Sequence, residues 1–125
     1  VILVDSSGWI EYFTEGPLAD EFAPYLENPA EVVTPTIVVF EVYRWIRRQR
    51  SEEEAIAAVA QMQKTSVVDL DQFLALSAAE LSITHGLAMA DAVVYATAQA
   101  RKTPMVTADA HFEGLRNARV LSRRS

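Results

Sequence analysis

Four acidic residues sit where a solvated surface charge is out of place. Asp5 follows the unbroken apolar run Val1-Ile2-Leu3-Val4, and Glu41 stands inside Ile37-Val38-Val39-Phe40-Glu41-Val42-Tyr43. Asp91 lies inside Leu87-Ala88-Met89-Ala90-Asp91-Ala92-Val93-Val94, and Asp109 closes Val106-Thr107-Ala108-Asp109. Each has an ordinary structural reading when taken alone. Asp5 is a turn carboxylate, and Glu41 a surface partner of Arg44 worth about 0.2 to 0.5 kcal/mol. Asp91 is a helix N-cap, and Asp109 the cap of the turn that carries His111 and Phe112. Taken together they point elsewhere. Carboxylates gathered within about 5 Å repel by roughly 3 kcal/mol per pair at an effective dielectric of about 20. A domain stable by about 5 to 15 kcal/mol cannot hold four of them ionised and bare. They must take up protons or bind a hard cation. With no cysteine and no paired histidine, all-oxygen ligation selects Mg²⁺ or Mn²⁺ over zinc. A cation held by carboxylates with open positions is suited to phosphate chemistry: it orients a phosphodiester, neutralises developing charge and lowers the pKa of a bound water.

Such a site requires a fold that brings residues 5 and 109 together. Short apolar runs alternate with stretches of helical period, without repeats or a Gly/Ser linker, which is the α/β pattern. Strands are expected at Val1 to Val4, Glu31 to Thr34, Ser66 to Leu70, Pro104 to Thr107 and, weakly, Arg119 to Leu121. Helices are expected after Ser6-Ser7 through Trp9 to Phe13, over Leu18 to Leu26, and from Pro35 to about Gln49. Further helices run from the capping box Ser51-Glu52-Glu53-Glu54 through Met62, from Gln72 to His85 with Gly86 as its stop, and from Asp91 to Arg101. Right-handed crossovers between parallel strands place all the strand carboxyl ends on one edge of the sheet, where ligands bind. Val4-Asp5 and Thr107-Ala108-Asp109 both end strands there.

The 125 residues make one compact domain, 1–125, and leave no room for a second. Half are apolar, enough for one core. No apolar run approaches the ~20 residues that span a bilayer, so neither signal peptide nor membrane anchor is expected. The absence of cysteine removes a thiol nucleophile or thiolate zinc site and makes the cytoplasm the expected location. Net charge is −6, which excludes a uniformly basic nucleic-acid binder. The charge is uneven, however: residues 1 to 40 hold seven acids and no base, whereas residues 41 to 50 hold one acid and four arginines.

Val4-Asp5-Ser6-Ser7 at the first strand end, Glu41 in the long helix, Ala90-Asp91-Ala92 in a late helix and Thr107-Ala108-Asp109-Ala110-His111-Phe112 resemble the PIN-domain nucleases, in order and over nearly the whole chain. The length and lack of appended domains resemble the VapC-type toxins of bacterial toxin–antitoxin pairs. The resemblance implies a three-layer α/β/α sandwich with a mainly parallel central sheet. It also implies an endoribonuclease using one or two Mg²⁺ or Mn²⁺ ions, leaving 5′-phosphate and 3′-hydroxyl ends, working as a homodimer and inhibited by a VapB-type antitoxin. Carried over by position, Asp5, Glu41, Asp91 and Asp109 form the acidic quartet, and Ser6 and Thr107 hydrogen-bond to those carboxylates or to the scissile phosphate. One departure is His111, which stands where many relatives carry a further acid and leaves the second metal position weaker.

Arg44, Arg47, Arg48 and Arg50 cluster at the end of the Glu41 helix, either as a solvated face or as an edge for phosphate or antitoxin; Arg44 and Arg48 are the residues expected to touch substrate. Trp9, Phe13, Trp45 and Ala55 to Ala60 fit either the core or a groove for a partner. His85 fits a helix C-terminal cation. The competing function is a catalytically silent PIN-like module that holds RNA or protein without cutting. A phospho-accepting receiver domain needs paired acids after the first strand and a Lys after a late one, whereas here Asp5 stands alone and Lys102 precedes its strand. A serine hydrolase is disfavoured, since Ser6-Ser7 lacks a Gly-x-Ser-x-Gly elbow.

Overall fold

The structure, a computed structural model, describes residues 1–122; the last three residues of the expected 1–125 domain lie outside the described residues. Five short strands form one parallel sheet: β1 (Ile2–Val4), β2 (Val32–Pro35), β3 (Ser66–Val68), β4 (Met105–Thr107) and β5 (Ala118–Val120). Their order is β3-β2-β1-β4-β5. Six helices connect them: α1 (Ser6–Phe13), α2 (Ala19–Leu26), α3 (Thr36–Gln49), α4 (Glu52–Met62), α5 (Gln72–His85) and α6 (Met89–Ala100). Every residue of β2 and β4 is buried, so both faces of these strands are covered, which is why they are near-continuous Val, Thr and Met. This is the expected α/β/α arrangement.

The sheet order reverses at its centre. From β1 the chain runs outward to β2 and β3, then returns to the other side of β1 to lay down β4 and β5. The switch point therefore falls between β1 and β4, paired through Leu3–Met105 and Val4–Val106. A doubly wound sheet opens a crevice at the carboxyl ends of such a pair.

Local signals explain most boundaries. Ser51 Oγ accepts the Glu54 N–H at 3.1 Å and donates to the Glu54 carboxylate, so the expected capping box opens α4. Gly86 ends α5 with φ of 69°, in the left-handed region that glycine enters without a Cβ clash. Four expectations shift. Ser6-Ser7 do not cap α1: the helix begins at the Asp5 carbonyl, which accepts from the N–H groups of Gly8 and Trp9, and the Ser7 hydroxyl turns to β4. β3 stops at Val68, because Asp71 accepts the Leu74 N–H and draws the following residues into the start of α5. Glu31 belongs to a short 3₁₀ turn before β2. α6 begins at Met89, which puts Asp91 in its first turn rather than at its cap.

Of the aromatic and alanine residues left between core and surface, Trp9, Ala55 and Ala58 are buried, whereas Trp45 and Ile56 are exposed. No single helix is long and apolar enough to cross a membrane among the described residues.

Candidate metal centre and nucleic-acid groove

Asp5 is the first residue past β1. Its N–H donates to the Val106 carbonyl at 3.0 Å, so the β1–β4 ladder continues through the residue that carries the carboxylate. The side chain is 3% exposed and is held from below: Thr107 Oγ1 donates to Asp5 Oδ2 at 2.8 Å. The proton count around Thr107 is closed. Its single hydroxyl proton goes to Asp5, and Oγ1 accepts the Asp109 N–H at 2.9 Å. Ser7 Oγ accepts the Ala108 N–H at 2.9 Å and lies 3.1 Å from Thr107 Oγ1, so Ser7 is the donor in that pair. Two hydroxyls thus tie the start of α1 to the loop that carries Asp109.

The other acids arrive from helices. Glu41 is half-buried in the second turn of α3, which follows β2 directly, and Asp91 is half-buried in the first turn of α6. Asp109 caps the 3₁₀ turn Ala110–Phe112 by accepting the His111 N–H at 2.9 Å, as its ordinary reading requires. It does so while facing the other carboxylates.

Charge and burial act together here. Burial pushes the Asp5 carboxyl up to about 6, against hydrogen bonds from Thr107 and the Ser6 backbone and with help from the nearby Glu41 and Asp91 charges. Glu41 is raised first by burial and then by Asp91 and Asp109, while the Ser6 hydroxyl stabilises its charged form. Asp91 is raised by burial and by Asp109, and is lowered by His111. Asp5 and Glu41 each feel two of the other acids, and Asp91 feels Asp109.

The gathering is nevertheless looser than a single 5 Å cluster. Among the described residues, ligand atoms mutually within 4.8 Å belong to Asp91, Asp109 and His111. Asp5, drawn back against Thr107, and Glu41 complete the rim at longer range. His111 Nδ1 lies 3.5 Å from Asp91 Oδ2 and 3.3 Å from Asp109 Oδ1. Carboxylate oxygens from three elements, raised in pKa by burial and by one another, are a donor set that fits a divalent cation.

A groove of about 360 Å³ runs away from this rim, lined by Ser6, Glu41, Arg44, Arg48 and the exposed rings of Phe40 and Trp45. Arg44 and Arg48 follow Glu41 at three and seven residues, one face of α3. Arg47 and Arg50 point to other partners, pairing with Glu52 and Glu54 of α4 at 3.5 Å each. Among the described residues Arg44 and Arg48 have no ion-pair partner, and Glu41 does not pair with Arg44.

Two participants escaped the sequence reading. Ser7 reads as a cap, although its place two residues beyond Asp5 puts it one helical step from the strand end. His111 reads in the sequence only as a departure from an acid, although the Asp-x-His spacing on a tight turn sets both side chains on one side.

Solved structures share this architecture. A toxin–antitoxin complex from Klebsiella pneumoniae is 20% identical, covering 94% of this chain and 95% of that one, with a TM-score of 0.78. VapC20 from Mycobacterium tuberculosis, described as a Sarcin-Ricin loop cleaving toxin, is 22% identical over 90% of this chain and 92% of that one, with a TM-score of 0.74. FitAcB from Neisseria gonorrhoeae is 18% identical over 97% and 96%, with a TM-score of 0.70. No curated protein matched by sequence. The PIN domain family matches residues 2–117, nearly the full length, and the chain belongs to that family.

Proposed function

We propose that this protein is a divalent-metal-dependent endoribonuclease of the VapC type, the toxin of a toxin–antitoxin pair. The observation that carries the reading is the meeting of Asp5, Glu41, Asp91 and Asp109 at the β1–β4 switch point, with a buried Asp5 whose carboxyl is pushed up to about 6. Part-buried carboxylates that raise one another's pKa are balanced by bound positive charge, and Mg²⁺ or Mn²⁺ suits oxygen donors.

When bound, such an ion supplies charge neutralisation at a phosphodiester and acidifies water for attack. The chain's own residues do the rest. Asp5, Glu41, Asp91 and Asp109 hold the ion, Thr107 fixes the Asp5 carboxylate, and Ser6 steadies Glu41. Arg44 and Arg48, without an ion-pair partner among the described residues, bind the flanking RNA phosphates along the groove.

Partners follow from two surfaces. Between α3 and α4 lies an apolar groove of about 580 Å³ lined by Phe40, Tyr43, Ile56 and Val59 and edged by Arg44 and Arg48. It fits a VapB-type antitoxin segment bearing apolar and acidic side chains, in keeping with neighbours that are themselves toxin–antitoxin complexes. On α5, Phe73, Leu76 and Ile83 share one exposed face at helical spacing, which suits the second copy of a homodimer.

The test is incubation of purified protein with cellular RNAs, with and without Mn²⁺, followed by end mapping. Wild type cuts only with metal and leaves 5′-phosphate and 3′-hydroxyl ends. Asp5→Asn and Asp91→Asn each lose at least about 100-fold in rate while staying folded. Cleavage by Asp5→Asn at the wild-type rate would overturn the assignment.

A further inference from the structure

We propose that His111 is itself a metal ligand, its imidazole joining Asp91 and Asp109 in a mixed nitrogen–oxygen corner that gives this site a preference for Mn²⁺ over Mg²⁺. The inference rests on the reading of the acidic rim as a metal centre and adds to it the donor that sets ion selectivity.

Two of the three donor separations approach the edge of an octahedral face, and all three donors lie within 4.8 Å of one another. Ligands at about 2.1 Å from a common ion, ninety degrees apart, stand about 3.0 Å from each other. His111 Nδ1 stands 3.3 Å from Asp109 Oδ1 and 3.5 Å from Asp91 Oδ2, so a small contraction brings the imidazole to ligand spacing from each carboxylate. The donors come from two separate elements, α6 and the turn after β4. The turn is fixed by the Asp109 cap on the His111 N–H, which holds the imidazole on the side of the carboxylates. Among the described residues this is the tightest group of possible ligands, and it includes the one histidine beside the rim. The imidazole is 77% exposed, leaving the opposite side open to water and substrate.

Donor chemistry gives the direction of the preference. Mg²⁺ favours oxygen and sheds water reluctantly, whereas Mn²⁺ shares the taste for carboxylates but opens the first-row transition series, whose ions also bind nitrogen donors, so one imidazole among carboxylates handicaps Mn²⁺ less than Mg²⁺. An acid in place of His111 adds charge and restores an oxygen set, which favours Mg²⁺. The same distances also describe an imidazolium ion-paired with two carboxylates, and in that arrangement a bound cation displaces His111 rather than recruiting it.

Pulsed electron paramagnetic resonance of the full chain loaded with Mn²⁺, in the absence of RNA, separates the two. Ligation gives a ¹⁴N coupling of a directly bound imidazole in wild type and in His85→Ala, which removes the only other histidine, and no coupling in His111→Ala. Calorimetry gives a loss of about tenfold in Mn²⁺ affinity for His111→Ala with Mg²⁺ affinity little changed, and a shift toward Mg²⁺ for His111→Asp. Bound Mn²⁺ without nitrogen coupling overturns the ligation by His111 and leaves the carboxylate centre standing. Failure of wild type to bind Mn²⁺ at all overturns both.

Discussion

Thr107 and Asp5 lie 102 residues apart and share a 2.8 Å hydrogen bond that closes the floor of the acidic rim. Thr107 is fully buried, and its one proton is committed to the carboxylate. Thr107→Val keeps the shape and removes that donor. A hydrogen bond to a charged group is worth about 1.5 to 3 kcal/mol, so Mn²⁺ affinity and cleavage rate fall by about 10- to 100-fold. Thr107→Ser keeps both close to wild type. Calorimetric titration of the three proteins checks this, and unchanged affinity in the valine variant removes Thr107 from the site's support.

Burial of Asp5 makes stability depend on pH in a defined direction. Its carboxyl ionises near 3.8 when exposed and at about 6 in the fold. Below 3.8 it is neutral in both states and costs nothing. As pH rises through 6 the folded state must ionise a buried group, and about 3 kcal/mol of stability is lost. Glu41 and Asp91 are raised as well and act in the same direction. Urea unfolding in EDTA therefore shows stability falling between about pH 4 and pH 6 from these groups. Asp5→Asn flattens the fall, and Mn²⁺ stabilises the wild type far more at pH 7.5 than at pH 5. A metal effect equal at both values contradicts the electrostatic account.

The helix that carries Ser6 and Ser7 is seated by a glycine. A Cβ on Gly8 would stand 2.6 Å from Phe22 Cε1 and 2.8 Å from Val4 Cγ1, closer than carbon atoms pack. Alanine normally favours a helix over glycine by about 1 kcal/mol. Here overpacking outweighs that gain, and Gly8→Ala destabilises by about 1 to 3 kcal/mol. The displaced α1 also moves Ser7 from the Ala108 N–H, so Mn²⁺ affinity drops together with the melting temperature. Thermal melts with and without metal test both effects.

What the sequence made readable was whatever is encoded locally. Apolar tracts ending in Asp5 and Asp109 marked the strand ends, and parallel topology was enough to bring those ends together. Glu41 and Asp91 were recognisable because an acid within an apolar helical stretch needs a polar cleft. What stayed hidden depends on partners far along the chain. Ser7 satisfies the local rule for a helix cap, yet its hydroxyl bonds toward the other end of the sequence, across 101 positions to Ala108. His111 draws its role from Asp91, 20 positions earlier in the sequence and 3.5 Å away in the fold. Phe73, Leu76 and Ile83 have the composition of a core and lie on the surface, a distinction that apolar spacing alone does not carry.

The four arginines at the end of α3 divide into two pairs with different duties, and salt dependence separates them. Arg47 and Arg50 are exposed and pair with Glu52 and Glu54, contacts of the kind worth at most about 1 kcal/mol. Arg44 and Arg48 border the groove that contains Ser6 and Glu41. Each phosphate neutralised on single-stranded RNA contributes about −0.7 to the slope of log affinity against log salt. In an Asp5→Asn background that binds without cutting, Arg44→Gln with Arg48→Gln reduces the slope by about 1.4 and weakens binding most at low salt. Arg47→Gln with Arg50→Gln leaves the slope nearly unchanged, because those charges already face carboxylates. Equal slopes for both double variants would show that the RNA does not follow this groove, and its path from the acidic rim would then have to leave α3 altogether.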